Sequence, residues 1–204
     1  GLGLTRLHIL GQSWGTCLAT DYLLTKGLDG VASVTLAGPV MSARRYLADV
    51  RPMISEVSPE HQAAIAEAER TQVYDSPAYL AATEAFYALH ITRNLTPETR
   101  VLWDRTVAGA GLDTYVAMNG PSEFSFNGSL QTYEREADLP RLQLPVLFLS
   151  GEFDTCTPDA ARDFAAQTPN AEVAVIPGAG HVTTLDNPDA TNAAVRPFIE
   201  AHDA

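Results

Sequence analysis

The stretch His8–Ala19 reads "HILGQSWGTCLA": a few residues of strand character, then Ser13 between Gly11 and Gly15, then a helical stretch. A Gly-x-Ser-x-Gly corner between a strand and a helix is the setting in which a serine is raised as a nucleophile. The corner forces the serine into a strained backbone conformation, and the flanking glycines are expected to leave room where a Cβ would clash. The helix N-terminus behind Ser13 favours developing negative charge. The amide of Trp14, the next residue, is positioned to donate to an oxyanion. A glycine-rich turn with an incidental serine is the blander reading, and it gives no reason for the strand before and the helix after.

A serine hydroxyl needs a base to take its proton and an acid to orient that base. Working outward, Val31–Ala37 reads as a second strand closed by Gly38-Pro39. Strand, helix and strand within about thirty residues form a βαβ unit with parallel strands. The same rhythm returns after residue 141, with strands at "PVLFLS" (145–150) and "EVAVI" (172–176). Asp154 follows the first of these in "GEFDTCTP", and His181 follows the second in "PGAGHVTTLDNP". Glu152 comes too soon after its strand, and Asp159 follows Pro158 in a first helical turn, where the helix dipole explains an acid. His8 lies in a strand, and His61, His90 and His202 lie on predicted helices. The expected catalytic set is Ser13, Asp154 and His181.

Between the two α/β parts, residues 41–141 read as helical. Ser58-Pro59-Glu60, Ser76-Pro77 and Thr96-Pro97-Glu98 each pair a hydroxyl N-cap with proline at the first helical position. They predict helices near 59–72, 77–92 and 97–108, while Met118 to Leu130 looks irregular. The organisation expected is a hydrolase core over 1–40 and 142–204 with a helical cap inserted at 41–141. Phe86, Tyr87 and Tyr79 share one predicted helix and read as packing residues, and Trp103 as cap core. Trp14 is placed to line the pocket.

The chain has 204 residues, 46% hydrophobic and 19% charged, the composition of a globular protein. A net charge of −12 without a Lys/Arg cluster disfavours nucleic acid and anionic membrane as partners. No apolar run has the length of a membrane span and no signal-peptide pattern opens the chain. Cys17 and Cys156 are too few for a disulfide scaffold and lack metal-ligand spacing, so both read as free thiols near the core, and a cytoplasmic location is expected. No metal or cofactor is implied. The opening "GLGLTRLHIL" reads as the end of a helix feeding a strand, as though the chain starts within a fold.

With these residues in place, the chain resembles the α/β-hydrolase superfamily, and more narrowly the proline iminopeptidase group of serine aminopeptidases. The stretches that carry the resemblance are "GQSWGTCLA", "FYALHITRN", "MNGPSEF", "LPVLFLSGEFDTCTP" and "PGAGHVTTLDNP", spread over nearly the whole chain. The resemblance implies a parallel sheet with an inserted cap whose acids meet the substrate's free α-amino group. Glu123 of "MNGPSEF" matches one of these acids; a solvated loop acid is the plain alternative. Relatives of the tricorn-interacting type carry a second acid after the catalytic aspartate, where this chain has Thr155. The group also has an "HGGPG"-like loop supplying a second oxyanion donor, and nothing like it occurs here. The implied partners are a small-molecule or short peptide substrate and an N-terminal portion or companion chain. The activity expected is cleavage of an amide or peptide bond next to a free amino-terminal residue. An esterase or amidase of the same fold remains open, as does an inactive fragment or non-catalytic binding protein. A dehalogenase or epoxide hydrolase would carry aspartate at Ser13.

Overall fold

The computed structural model describes residues 4–109 and 111–203. The expected helix end at the start of the chain falls partly on residues 1–3, outside the described residues.

Four parallel strands form one sheet in sequential order: β1 (Leu7–Gln12), β2 (Val31–Ala37), β3 (Val146–Gly151) and β4 (Ala171–Ile176). Gln12 pairs with Ala37, and Ala37 with Leu149, so neighbouring strands end close together. Every residue of β3 is buried, as a central parallel strand covered on both faces requires. Beneath the sheet, α1 (Trp14–Lys26) and α7 (Pro158–Ala166) press Leu23 and Phe164 against Val34, Leu36 and Phe148. Each such aliphatic side chain contributes about 1.5–3 kcal/mol on full burial. After β4 come the short α8 (Thr183–Asp186) and the long α9 (Pro188–Ala201).

The segment between β2 and β3 holds α2 (Ala43–Met53), α3 (Pro59–Thr71), α4 (Pro77–His90), α5 (Pro97–Gly109) and α6 (Leu112–Met118). The capping chemistry is as read. The Ser58 hydroxyl accepts from the His61 amide, Ser76 from Tyr79, and Thr96 from Thr99. Tyr46, Val50, Ile65, Phe86 and Phe124 form one apolar cluster that also takes in Cys17 and Cys156. The inserted helices therefore share packing with the elbow helix and the acid loop. The α6 helix ends at Met118, where the sequence begins to look irregular. One expectation changes here. Trp103 is half-buried rather than core, on a helix (α5) that buries none of its residues.

Candidate active site

Ser13 leaves β1 and precedes α1 with φ 54° and ψ −120°, a sparsely populated positive-φ conformation that costs a non-glycine residue about 1–3 kcal/mol. The strain is held from both sides. The Ser13 amide donates to Ala37 O at 2.8 Å. The Thr16 hydroxyl donates to Ser13 O at 2.6 Å and accepts the Val40 amide at 3.0 Å, tying the elbow to the loop after β2. The two flanking glycines differ. A Cβ at Gly11 would lie 2.3 Å from Gly15 O, so glycine is required there, but one at Gly15 would meet nothing within 4 Å beyond its own helix and neighbours. The expected clash therefore holds for Gly11 alone. Trp14 opens the helix, so its amide has no intrahelical acceptor and faces the same space as the serine.

Asp154 and His181 come together as read. Nδ1 of His181 lies 2.7 Å from Asp154 Oδ1, and both side chains are buried. The carboxylate also accepts the Cys156 amide at 2.7 Å and the Gly151 amide at 3.3 Å. Burial opposes charge on the imidazole, but the Asp154 carboxylate overcomes this and raises it to about 9. Nε2 of His181 is buried and has no hydrogen-bond partner among the described residues, so its bond to Ser13 is not formed. Such contacts commonly tighten only when substrate binds. The rival acids have other work. Glu152 accepts the Gly178 amide at 2.8 Å, and Asp159 pairs with Arg162 at the surface.

Two residues the sequence reading left out hold the histidine loop against the strand ends beside the elbow. Gln12 Nε2 donates to His181 O at 3.0 Å. Gly38, at φ 59°, sits so close that a Cβ there would be 2.5 Å from His181 Cε1. The "GPV" after β2 carried that signal only as a turn.

Ser13 and Trp14 open onto a cavity of about 490 Å³ that Glu123 also lines. The cavity is otherwise mostly apolar, with Val40, Phe126 and Leu130 among its walls. The Tyr115 hydroxyl donates to Glu123 Oε1 and the Tyr46 hydroxyl to Oε2, each at 2.9 Å. The Tyr87 hydroxyl accepts the Glu123 amide at 3.3 Å, so this tyrosine serves the site besides packing. Burial, reinforced by the Glu123 charge, pushes all three phenols above their ordinary range and keeps them protonated as donors. Among the described residues no Lys, Arg or His pairs with Glu123. Thr155 is fully buried beside Asp154, and its hydroxyl lies near the Tyr46 phenol.

Asp154, Cys156 and His181 could in principle hold a cation, their ligand atoms lying within 4.8 Å of one another. The Asp154–His181 hydrogen bond already occupies two of these atoms, and burial pushes the Cys156 thiol far from its ligating thiolate form. Both cysteines are free. No described helix is long and apolar enough to cross a membrane.

The α/β hydrolase fold family matches residues 1–188. The chain belongs to that family. Within it, the chain falls in the proline iminopeptidase group. It is 37% identical over 202 residues to a proline iminopeptidase of Levilactobacillus brevis, covering 99% of this chain and 67% of that protein. It is 39% identical over 181 residues to that of Lactobacillus delbrueckii subsp. lactis, covering 89% and 61%. The crystal structure of a Mycobacterium smegmatis proline iminopeptidase superposes with a TM-score of 0.85 at 31% identity, covering 99% of this chain and 67% of that one. The chain thus spans about two thirds of the length of these α/β hydrolases.

Proposed function

We propose that the chain carries the reaction centre of a serine hydrolase that releases an amino-terminal residue through an acyl-enzyme, with Glu123 receiving the free amino group. One observation supports the reading: a strained serine and a carboxylate with no cationic partner among the described residues line one cavity, and a buried Asp–His pair stands on the neighbouring loops. A carboxylate in a mostly apolar cavity attracts a single ammonium. Anchoring that ammonium decides which carbonyl reaches Ser13. With Thr155 in place of a second acid, the amino site offers one negative charge, matched to one positive charge.

In the reaction, Ser13 Oγ attacks the substrate carbonyl carbon while its proton passes to His181 Nε2. Asp154 holds the Nδ1–H tautomer and stabilises the imidazolium. The Trp14 amide supports the oxyanion. When the C–N bond breaks, His181 returns the proton to the leaving nitrogen. Water, deprotonated by His181, then attacks the acyl-Ser13 ester and frees the amino acid. We place the second oxyanion donor in a segment or companion outside this chain. Such a segment would pack along β1, where Leu10 is exposed, and against Trp14, Leu18 and Tyr22, exposed four residues apart along α1.

The test pairs two variants. Ser13→Ala should abolish labelling by an alkyl fluorophosphonate and turnover of a prolyl arylamide. Glu123→Gln should raise KM for the free-amine arylamide about 10–100-fold, the loss of a charge-assisted hydrogen bond, and leave an N-acetylated substrate unchanged. Labelling that survives Ser13→Ala would refute the nucleophile. Equal effects on both substrates would remove Glu123 from the amino site.

A further inference from the structure

The proposed chemistry needs His181 fixed at its backbone as well as at its ring. Three consecutive amides of its loop are spoken for. The His181 amide donates to His90 O at 2.8 Å and the Val182 amide to Ile91 O at 2.9 Å. The Gly180 amide donates instead to a side chain, Asp186 Oδ2, at 2.8 Å. The same carboxylate accepts the Arg93 amide at 2.9 Å on Oδ2 and the Asn94 amide at 2.8 Å on Oδ1. Residues 90–94 are the C-terminal end of α4 and the turn after it, so this carboxylate joins the inserted helices to the histidine loop.

We propose that Asp186 is a positioning residue for His181, its buried carboxylate clamping the histidine loop to the end of α4; the catalytic part of this statement rests on the serine hydrolase reading above. Asp186 is 9% exposed, and its three donors are all backbone amides. Only an acceptor-only group satisfies that arrangement. An asparagine would turn an NH₂ toward one of the three N–H groups and leave a buried donor facing another donor. The approach is also close. A Cβ at Gly180 would lie 2.6 Å from His90 O, so the loop lies directly against the helix end. Asn94 Nδ2 adds a bond to Gly178 O at the start of the same loop. His90 Nδ1 donates to Phe153 O at 3.0 Å, bringing the acid loop to the same bracket. Asp186 is not among the charges that shift the His181 imidazole, so it acts by geometry and not by field.

The test compares Asp186→Asn and Asn94→Ala with wild type. Asn94 is exposed, so its replacement removes one bond without endangering the core. Asp186→Asn should lower kcat for a prolyl arylamide about 10–100-fold, the effect of displacing a catalytic group by about 1 Å. KM should stay within about twofold and the acid limb of the pH profile should not move. Asn94→Ala should lower kcat about threefold with KM unchanged. Hydrogen exchange at Gly180, His181 and Val182 should speed at least about tenfold in Asp186→Asn. An unchanged kcat, or kcat and KM altered together, overturns the proposal. If Asp186→Asn does not fold, an unchanged kcat in Asn94→Ala overturns it. A wild type that neither turns over arylamides nor takes the phosphonate defeats the serine hydrolase reading instead, and the exchange rates still decide whether Asp186 holds the loop.

Discussion

Gln12, Ala37 and Leu149 lie in register on three neighbouring parallel strands, and the loops after these strands bring Ser13, Gly38 and Asp154 to one sheet edge. In the inserted segment, by contrast, α5 buries none of its residues, and α6, which lines the cavity, supplies Tyr115 to the Glu123 cage from a helix of seven residues without a buried side chain. The groups proposed to react therefore stand just past strand ends cross-braced by backbone hydrogen bonds, where small displacements are costly. Glu123, proposed to receive the amine, stands on the irregular loop after α6, and side-chain hydrogen bonds from Tyr46 and from Tyr115 of the lightly packed α6 set its geometry. Fold stability and turnover should be sensitive to the first region, and substrate preference to the second.

Asp154→Asn challenges the first half of that contrast most severely. An amide cannot hold the required tautomer, so kcat should fall by about 10⁴ with KM little changed. The pH behaviour adds a second check. His181 stands at about 9 in the folded protein because Asp154 outweighs burial, against about 6.5 in an unfolded chain. The folded value is the higher one, so the pair's contribution to stability is complete below pH about 6.5 and is lost as pH rises through about 9. Activity runs the other way, because only the neutral imidazole is a base. For wild type, kcat/KM should rise with pH along a limb above the ordinary histidine range. In Asp154→Asn the largest influence that raises the ring is gone and burial is opposed only by the Glu123 charge, so the acid limb should move to lower pH and melting should lose most of this pH dependence. An unmoved limb would show that Asp154 does not govern His181.

The same contrast explains what could be read from the chain alone. The elbow, Asp154 and His181 were legible because each follows a short apolar run at a fixed offset, and the strand sets where its loop begins. Three helix starts were legible because Ser58, Ser76 and Thr96 act within three residues of themselves. Tyr46 and Asp186 were not legible. Tyr46 reaches Glu123 across 77 positions, and Asp186 reaches Arg93 across 93. No local period encodes such pairings. Gly15 shows the converse failure: its place in the motif suggested a steric need that the folded chain does not have.

Tyr115→Phe probes the second region with a smaller expected effect. It deletes the hydroxyl that donates to Glu123 Oε1 and accepts from Asn119 Nδ2 at 3.0 Å. One hydrogen bond is worth about 1 kcal/mol net, so KM for a free-amine arylamide should rise about fivefold. The N-acetylated substrate should respond less than about twofold, and kcat should hold. A matching loss with the blocked substrate would mean that Tyr115 only shapes the cavity, and the division between reacting edge and recognising helices would blur.

The smallest effect is expected on α5. Val101 is 54% exposed and Leu102 49%, on a helix without a buried residue. Replacing Val101 by Ser removes little buried apolar area, and valine has no helix-propensity advantage over serine to lose. The urea midpoint should therefore correspond to a change within about 0.5 kcal/mol, with kcat and KM at wild-type values for both substrates. A loss of about 2 kcal/mol is the size reserved for a buried side chain. It would mean that α5 helps to hold the fold, and the contrast between the lightly packed inserted helices and the sheet edge would shrink.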